Sequence, residues 1–309
     1  MSQRDVQQHI ASVKNIQKIT RAMEMVSAAR LRRAEQRIKA LRPYAGALRQ
    51  MTRQAAEAVQ SLPSLSVMAA RDEKAVGIML VTSDRGLAGA FNSQIIRAGL
   101  RSATEHEREG RRVRFYASGR RGVSSLTFRG REPVETYVGF TDRPAYANAR
   151  EIAGDLVSAF VDEDVDRVEI LYNGYVSPLT QHVTHEVLLP LKEASVLEED
   201  EGDEEDGSGD QADAEQTDRE RDARALVEYE PDAEEILARL VPDYVEVSVY
   251  RALLESTASE HGARMTAMRS ASENAKDIIE NLTLEMNRAR QAEITQEIME
   301  VVAGAEALG

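Results

Sequence analysis

The sequence predicts an α/β protein in which the two ends of the chain form a long antiparallel two-helix coiled coil and the middle forms a compact α/β domain. Three observations predict it. From Ser2 to Arg42 there is no Gly or Pro, and apolar residues recur every three or four positions; after Pro242 a similar pattern runs to Gly309, interrupted only by Gly262 and Gly304. Between the two, short β-branched runs alternate with stretches of helical spacing.

The first helix carries its stripe at Val6, Ile10, Val13, Ile16, Ile19, Met23 and Val26, then Leu31, Ala34, Ile38 and Leu41. At the usual rise, forty helical residues span about 60 Å. Pro43 is expected to kink or interrupt the helix, with Tyr44 to Gln60 continuing it. This arm is basic: residues 1–60 hold 12 Lys and Arg against four acids.

The middle reads as strand, helix, strand, helix, strand. Ala75 to Thr82, Val113 to Ser118 and Val168 to Tyr172 are the strands; Gly89 to Glu109 and Arg143 to Asp162 are the helices. That alternation implies a Rossmann-like domain with a parallel sheet. Thr180 to Leu191 adds a further strand, antiparallel and at the edge.

The last helix, more than about 90 Å long, keeps its stripe at Tyr250, Leu254, Thr257, His261, Met265, Met268, Ala275, Ile279, Leu282, Met286 and Ala289, then Ile294, Ile298 and Val301. The stripe is narrow and close to a 3.5 period, which suits a partner helix. No single globular core covers such a length, so the helix projects. Both ends leave one compact domain and can pair antiparallel, the basic arm against a last helix with six basic and 11 acidic groups over residues 245–309. The carboxyl end then overhangs as a single tip.

Charge is unevenly placed. Of the formal net charge of −14, residues 198–222 account for −12, with 14 Asp and Glu against Arg219 and Arg221. This run holds almost nothing apolar and is read as a disordered acidic insertion, either a solvated loop or an interaction segment for a basic surface. The chain has no Cys, which excludes disulfides, thiolate catalysis, iron–sulfur clusters and cysteine-bound zinc. No run of 18 apolar residues occurs, and Met1 to Ile19 is polar, so neither a membrane span nor a secretion signal is expected.

An active site is not visible. Ser83-Asp84-Arg85-Gly86-Leu87-Ala88-Gly89 follows the first strand, where an α/β protein cradles phosphate. It lacks the P-loop Lys and the third glycine of the dinucleotide fingerprint, so Gly86 and Gly89 are assigned to a tight turn and close helix packing on the sheet. His182 and His185, three apart on a strand, point to opposite faces and do not converge on a metal. His261 is a packed or pH-sensitive seam residue. No pair of carboxylates stands out in a setting that would shift its titration. The basic face of Lys14, Lys18, Arg21, Arg30, Arg32, Arg33 and Arg37 lacks the aromatics that stack nucleic-acid bases, and meets solvent or an acidic protein surface. No cofactor or metal is expected. The apolar tip, Ile294 to Ala307, needs a sleeve to bury it.

Three segments, in order along nearly the whole chain, carry a resemblance: Ser12-Val13-Lys14-Asn15-Ile16-Gln17-Lys18-Ile19-Thr20-Arg21-Ala22-Met23-Glu24-Met25-Val26; Ser83 through Gly89 to Asn92; and Ala289-Arg290-Gln291 through Ile294-Thr295-Gln296-Glu297 to Gly304-Ala305. The chain resembles the gamma subunit of the F-type ATP synthase, the central rotor shaft. The resemblance implies a subunit without catalysis of its own, its coiled coil inside a ring of three alpha and three beta subunits. The globular foot would meet the c ring and the epsilon subunit, peripheral to the cytoplasmic side of the cell membrane. It places Arg290 and Gln291, and on the first helix Met23, Arg30 and Arg33, against loops of beta, and Tyr229 and Glu230 in the foot segment near the c ring. The chain departs from the family at Met286, where Tyr is common, and at His9 and Ala11, where basic residues are common.

The resulting organisation is a coiled-coil helix at 1–60, a foot at 61–197, the acidic insertion at 198–222, a foot segment at 223–242 and the long helix at 243–309. The alternatives are an α/β small-molecule enzyme with a coiled-coil dimerisation arm, and a homodimeric coiled-coil scaffold.

Overall fold

A computed structural model describes residues 3–58, 71–190 and 233–306. Helix α1 (Gln3–Ala58) leads to a sheet domain of β1 (Ala75–Val81), α2 (Phe91–Arg108), β2 (Arg112–Ser118), α3 (Arg120–Phe128), β3 (Glu135–Tyr137), α4 (Tyr146–Val161), β4 (Arg167–Tyr175) and β5 (Gln181–Leu189); α5 (Ala233–Glu306) closes the chain. The strand order is β3-β2-β1-β4-β5, parallel throughout except for antiparallel β5 at the edge. The α/β class, the strand runs and the antiparallel edge strand agree with the sequence reading. The short α3 and the three-residue β3 escaped it, because a nine-residue helix and a three-residue strand carry too little periodicity to register.

The sheet is covered on both faces. Val76, Ile78 and Leu80 pack with Ile95 and Ala98 of α2 and Leu126 of α3. Met79 and Val81 pack on the other face with Ile152, Leu156 and Phe160 of α4 and with Val241, Val245, Val249 and Leu253 of α5. Alternation along β1 therefore serves two cores. The long last helix is thus also a core helix of the globular domain.

The α1–α5 seam is a coiled coil. On α1 it runs through Val6, Ile10, Val13, Gln17, Thr20, Glu24, Ser27, Leu31 and Ala34, steps of four and three in alternation. It meets Ala275, Ile279, Leu282 and Met286 near the amino end and Ala258 and Met265 nearer the sheet domain. This corrects the stripe drawn through Ile16, Ile19 and Val26, which are 51%, 59% and 52% exposed. Two successive steps of three turn the stripe off a 3.5-residue seam. The true seam there uses Thr20 and Ser27, whose hydroxyls bond to the Gln17 and Met23 carbonyls of their own helix (3.0 and 2.8 Å), so their burial leaves no orphaned group.

Neither proline breaks its helix. Pro43 lies inside the 56-residue α1 and Pro242 inside the 74-residue α5, which starts at Ala233, ahead of the proline. Each costs about 3 kcal/mol or more in helix terms. Burial of Leu48 and Thr52 beyond the first, and of Val241, Val245 and Val249 around the second, offsets it. No helix among the described residues is long and apolar enough to cross a membrane.

Candidate functional site

In an open α/β sheet the ligand crevice lies at the carboxyl ends of the strands, where the strand order reverses, here between β1 and β4. Helix α5 occupies it. Thr257 Oγ1 donates to the Thr141 carbonyl (2.9 Å), and the Arg264 guanidinium donates to the Gly86 carbonyl through Nε (3.3 Å) and a terminal nitrogen (3.2 Å). What remains is a cavity of about 10 Å³ lined by Thr82, Thr141, Leu253, Ser256, Thr257 and Glu260, room for one water.

The loop after β1 is likewise spoken for. The Asp84 carboxylate accepts from the N–H groups of Gly139 (2.8 Å), Thr141 (3.3 Å) and Arg120 (3.2 Å), so it already caps the amino end of α3. Ser83 N–H donates to Asn92 Oδ1 (2.9 Å). The α3 end of this loop is therefore not open to a phosphate. Gly89, at φ +55, makes the turn as expected. Gly86 does not serve helix–sheet packing: a Cβ there would meet only the Arg121 guanidinium, whereas one on Gly99 would lie 2.4 Å from Leu80 Cδ2.

Two carboxylates stand in strongly perturbing surroundings, contrary to the sequence reading. Burial pushes Glu260 up to about 7 against the pull of Arg264, with Asp142 and Asp84 adding to the rise. The adjacent His261 is pushed down to about 4 by burial, which outweighs Asp142. Glu169, 1% exposed, is opposed by burial but held down to about 2 by the His185 hydrogen bond and the nearby Arg167. It accepts from His185 Nε2 (2.7 Å), Arg167 Nε (2.7 Å) and Ser102 Oγ (3.0 Å), and from His106 Nε2 (3.2 Å), whose Nδ1 takes a hydrogen bond from Arg111 (2.8 Å). This cluster ties α2, β4 and β5 together. It is a structural staple: no group of three or more metal-ligating side chains arranged for an ion occurs among the described residues. Sequence gave no signal for it, since its members lie up to 83 positions apart, from Ser102 to His185. His185 faces α2 with Val183, while His182, one pleat away, does not join it.

The distinctive surface is the shaft. Val6 packs near Leu282 and Met286 and α1 starts one turn earlier at Gln3, so among the described residues α5 from about Gln291 onward has no α1 beside it, an overhang of about 25 Å. On it Ile294, Ile298, Met299, Val301 and Val302 are exposed, Val301 at 71%. Arg290 and Gln291 stand exposed at its base. Lower on the shaft, Arg33 is exposed and Met23 half-buried, flanked by exposed Lys14, Lys18, Arg21 and Arg32. Arg30 is instead engaged by Asp142 of the globular domain in an ion pair. Tyr229, Glu230 and the acidic run 198–222 lie outside the described residues.

The ATP synthase family model matches residues 2–308. The ATP synthase gamma chain of Rubrobacter xylanophilus is 42% identical over 99% of this chain and 98% of its own, and that of Streptomyces coelicolor 41% identical over 97% and 93%. Among solved structures, the chain is similar to one in the central stalk and c ring of the Tetrahymena thermophila mitochondrial ATP synthase (25% identity, TM-score 0.59, 82% of this chain and 99% of that one). It also shares its fold with a chain of the Euglena gracilis mitochondrial ATP synthase (18% identity, TM-score 0.65, 99% and 94%). A shaft of two end helices on an α/β domain whose crevice is filled by its own helix, matched end to end by these relatives, belongs to the ATP synthase gamma family, the non-catalytic central-stalk rotor subunits.

Proposed function

We propose that this rotor subunit works as an axle inside a ring of three alpha and three beta subunits, with its globular domain seated on the c ring beside the epsilon subunit, on the cytoplasmic face of the cell membrane. The observation that carries the reading is the overhang: about 25 Å of helix exposes a row of large apolar side chains, the kind of surface that marks a partner's docking site. A threefold ring around a shaft without threefold symmetry presents each beta subunit with a different face at each 120-degree station. Contacts that differ between stations favour different conformations of beta, and this differential binding converts rotation into changes of site affinity. Apolar contact at the tip suits turning, because it has no directional bonds to break at each step.

In this reading Arg290 and Gln291 meet a loop of beta through charge-assisted hydrogen bonds, and Met23 and Arg33 meet an acidic loop lower down. Arg30 reaches that level already paired with Asp142. Tyr229 and Glu230 belong to the foot segment toward the c ring; the first shaft helix gives way to the foot at about residue 60, and the last helix, expected to leave the foot at about 243, stays in its core through Leu253. Purification of the native complex tests the assembly: the chain is expected with alpha and beta at one to three. Arg290→Ala is expected to lower ATP-driven proton pumping at least tenfold more than ATP hydrolysis, with unchanged helix content and assembly. A fully coupled Arg290→Ala enzyme refutes the role given to that side chain.

A further inference from the structure

The two shaft helices are joined to the globular domain in different ways. Helix α5 is part of its core, with Val241, Val245, Val249, Ala252 and Leu253 buried against α4 and the sheet. Helix α1 lies outside that core and packs chiefly on α5. Among the described residues, two polar contacts that fasten α1 to the globular domain lie about 8 Å apart along the helix. Arg30 pairs with Asp142, in the turn before α4, and Glu35 accepts a hydrogen bond from the hydroxyl of Tyr175 at the end of β4. His261 of α5 faces the same Asp142 carboxylate, Nε2 to Oδ1 at 3.6 Å. Beside these contacts Leu31, Ala34 and Ala258 form a small apolar cluster against Tyr175.

Just beyond this level α1 brings small or polar side chains, Thr20, Glu24 and Ser27, to the seam. Thr20 and Ser27 direct their hydroxyls into their own helix. The cross-helix pair of Glu24 with Arg269 (2.9 Å) has a half-exposed arginine, and such surface pairs hold weakly. Seams with small, interchangeable side chains specify register poorly unless a polar contact pins it. Twisting a two-helix coil also drives its strands past one another, because each follows a helical path around the other. A coil turned from the α5 side therefore keeps its register only if α1 is anchored as well.

We infer that Arg30–Asp142 and Glu35–Tyr175 form a register lock that fixes α1 against the globular domain, so that both helices of the shaft turn with it. These are positioning residues, and Arg30 acts through Asp142 rather than through a surrounding partner. The lock stands on this geometry; its consequence for turning rests on the rotor reading above.

The absence of cysteine from the chain allows spin labels at Gln8→Cys and Glu273→Cys, exposed positions on the two helices. In the full-length parent a single narrow distance distribution is expected. Asp142→Ala with Tyr175→Phe should broaden it at least twofold while helix content stays constant, and the exchange Arg30→Asp with Asp142→Arg should narrow it again. Tyr175→Phe alone removes one hydroxyl and should broaden it measurably even if the double variant folds poorly. An unchanged width in these variants overturns the lock. So does broadening by Arg30→Ala without broadening by Asp142→Ala, or an exchange that fails to restore. In the assembled enzyme the double variant should pump at least twofold fewer protons per ATP; full coupling with a broadened register overturns the lock's part in transmission. Failure of the rotor reading would appear separately, as a chain that enters no ATPase complex.

Discussion

Glu260 and His261 are neighbours at the joint between shaft and globular domain, and their protonation should affect stability in opposite senses. Glu260 is 2% and His261 1% exposed, so solvent screens neither strongly. Glu260 rises from 4.5 to about 7. Between those values the folded chain holds a proton that the unfolded chain has released, so stability falls as pH rises, by up to about 3 kcal/mol. His261 falls from 6.5 to about 4, so its contribution is present above 6.5 and lost as pH drops toward 4, again up to about 3 kcal/mol. Over roughly pH 4.5 to 6.5 the two slopes cancel. Single substitutions should unmask them. Relative to the parent, Glu260→Gln should gain stability steadily from pH 4.5 to 7, and His261→Gln should lose it steadily from pH 4 to 6.5, each by about 3 kcal/mol across its window. Urea unfolding followed by far-ultraviolet circular dichroism at half-unit pH intervals measures this. The constant offset from leaving Arg264 beside a neutral side chain does not alter the slope. Two variants that track the parent curve within about 0.5 kcal/mol over the whole range would refute the assignment of buried, mutually opposed titrations.

Other expected outcomes are simpler. Glu169→Gln removes the charge shared by Arg167 and His185 between α2 and β5, with Arg167 still paired to Glu73 (3.1 Å), and should cost about 1–3 kcal/mol at pH 7, read as a lowered urea midpoint. Gly119→Ala should destabilise at least as much or prevent folding: its φ is +86 and a Cβ would lie 2.3 Å from the Thr82 carbonyl oxygen, backbone that cannot swing aside. Ile298→Asp, on the exposed overhang, should leave the unfolding midpoint of the isolated chain within about 0.5 kcal/mol of the parent, yet sharply reduce recovery of the chain with alpha and beta subunits.

Much of this architecture was legible because its signals are local. The β1 run carries no polar side chain and holds β-branched Val76, Ile78 and Val81, which marks a strand buried on both faces, whereas β5 mixes polar with apolar residues as an edge strand does. The overhang was legible too, since Ile294, Ile298 and Val301 continue a stripe beyond the length that α1 can cover. The phase of the seam at its centre was not. Ile16 and Ile19 are more apolar than Gln17 and Thr20, and hydrophobicity alone prefers them. Likewise nothing in the run around Asp142 announces a partner at Arg30, 112 residues away.

Periodicity along the chain determined by itself that two very long helices flank a parallel sheet, because repeat length is a property of each helix or strand alone. The order of three separate motifs was enough to point to the rotor family. Only the tertiary structure decided which side of α1 faces α5, that α5 fills the crevice where a related sheet would take a ligand, and which charges share a buried site. Those outcomes depend on the relative rotation and height of elements packed together. That geometry is set by summed packing over many contacts, none of which is strong enough to be read from its own residues.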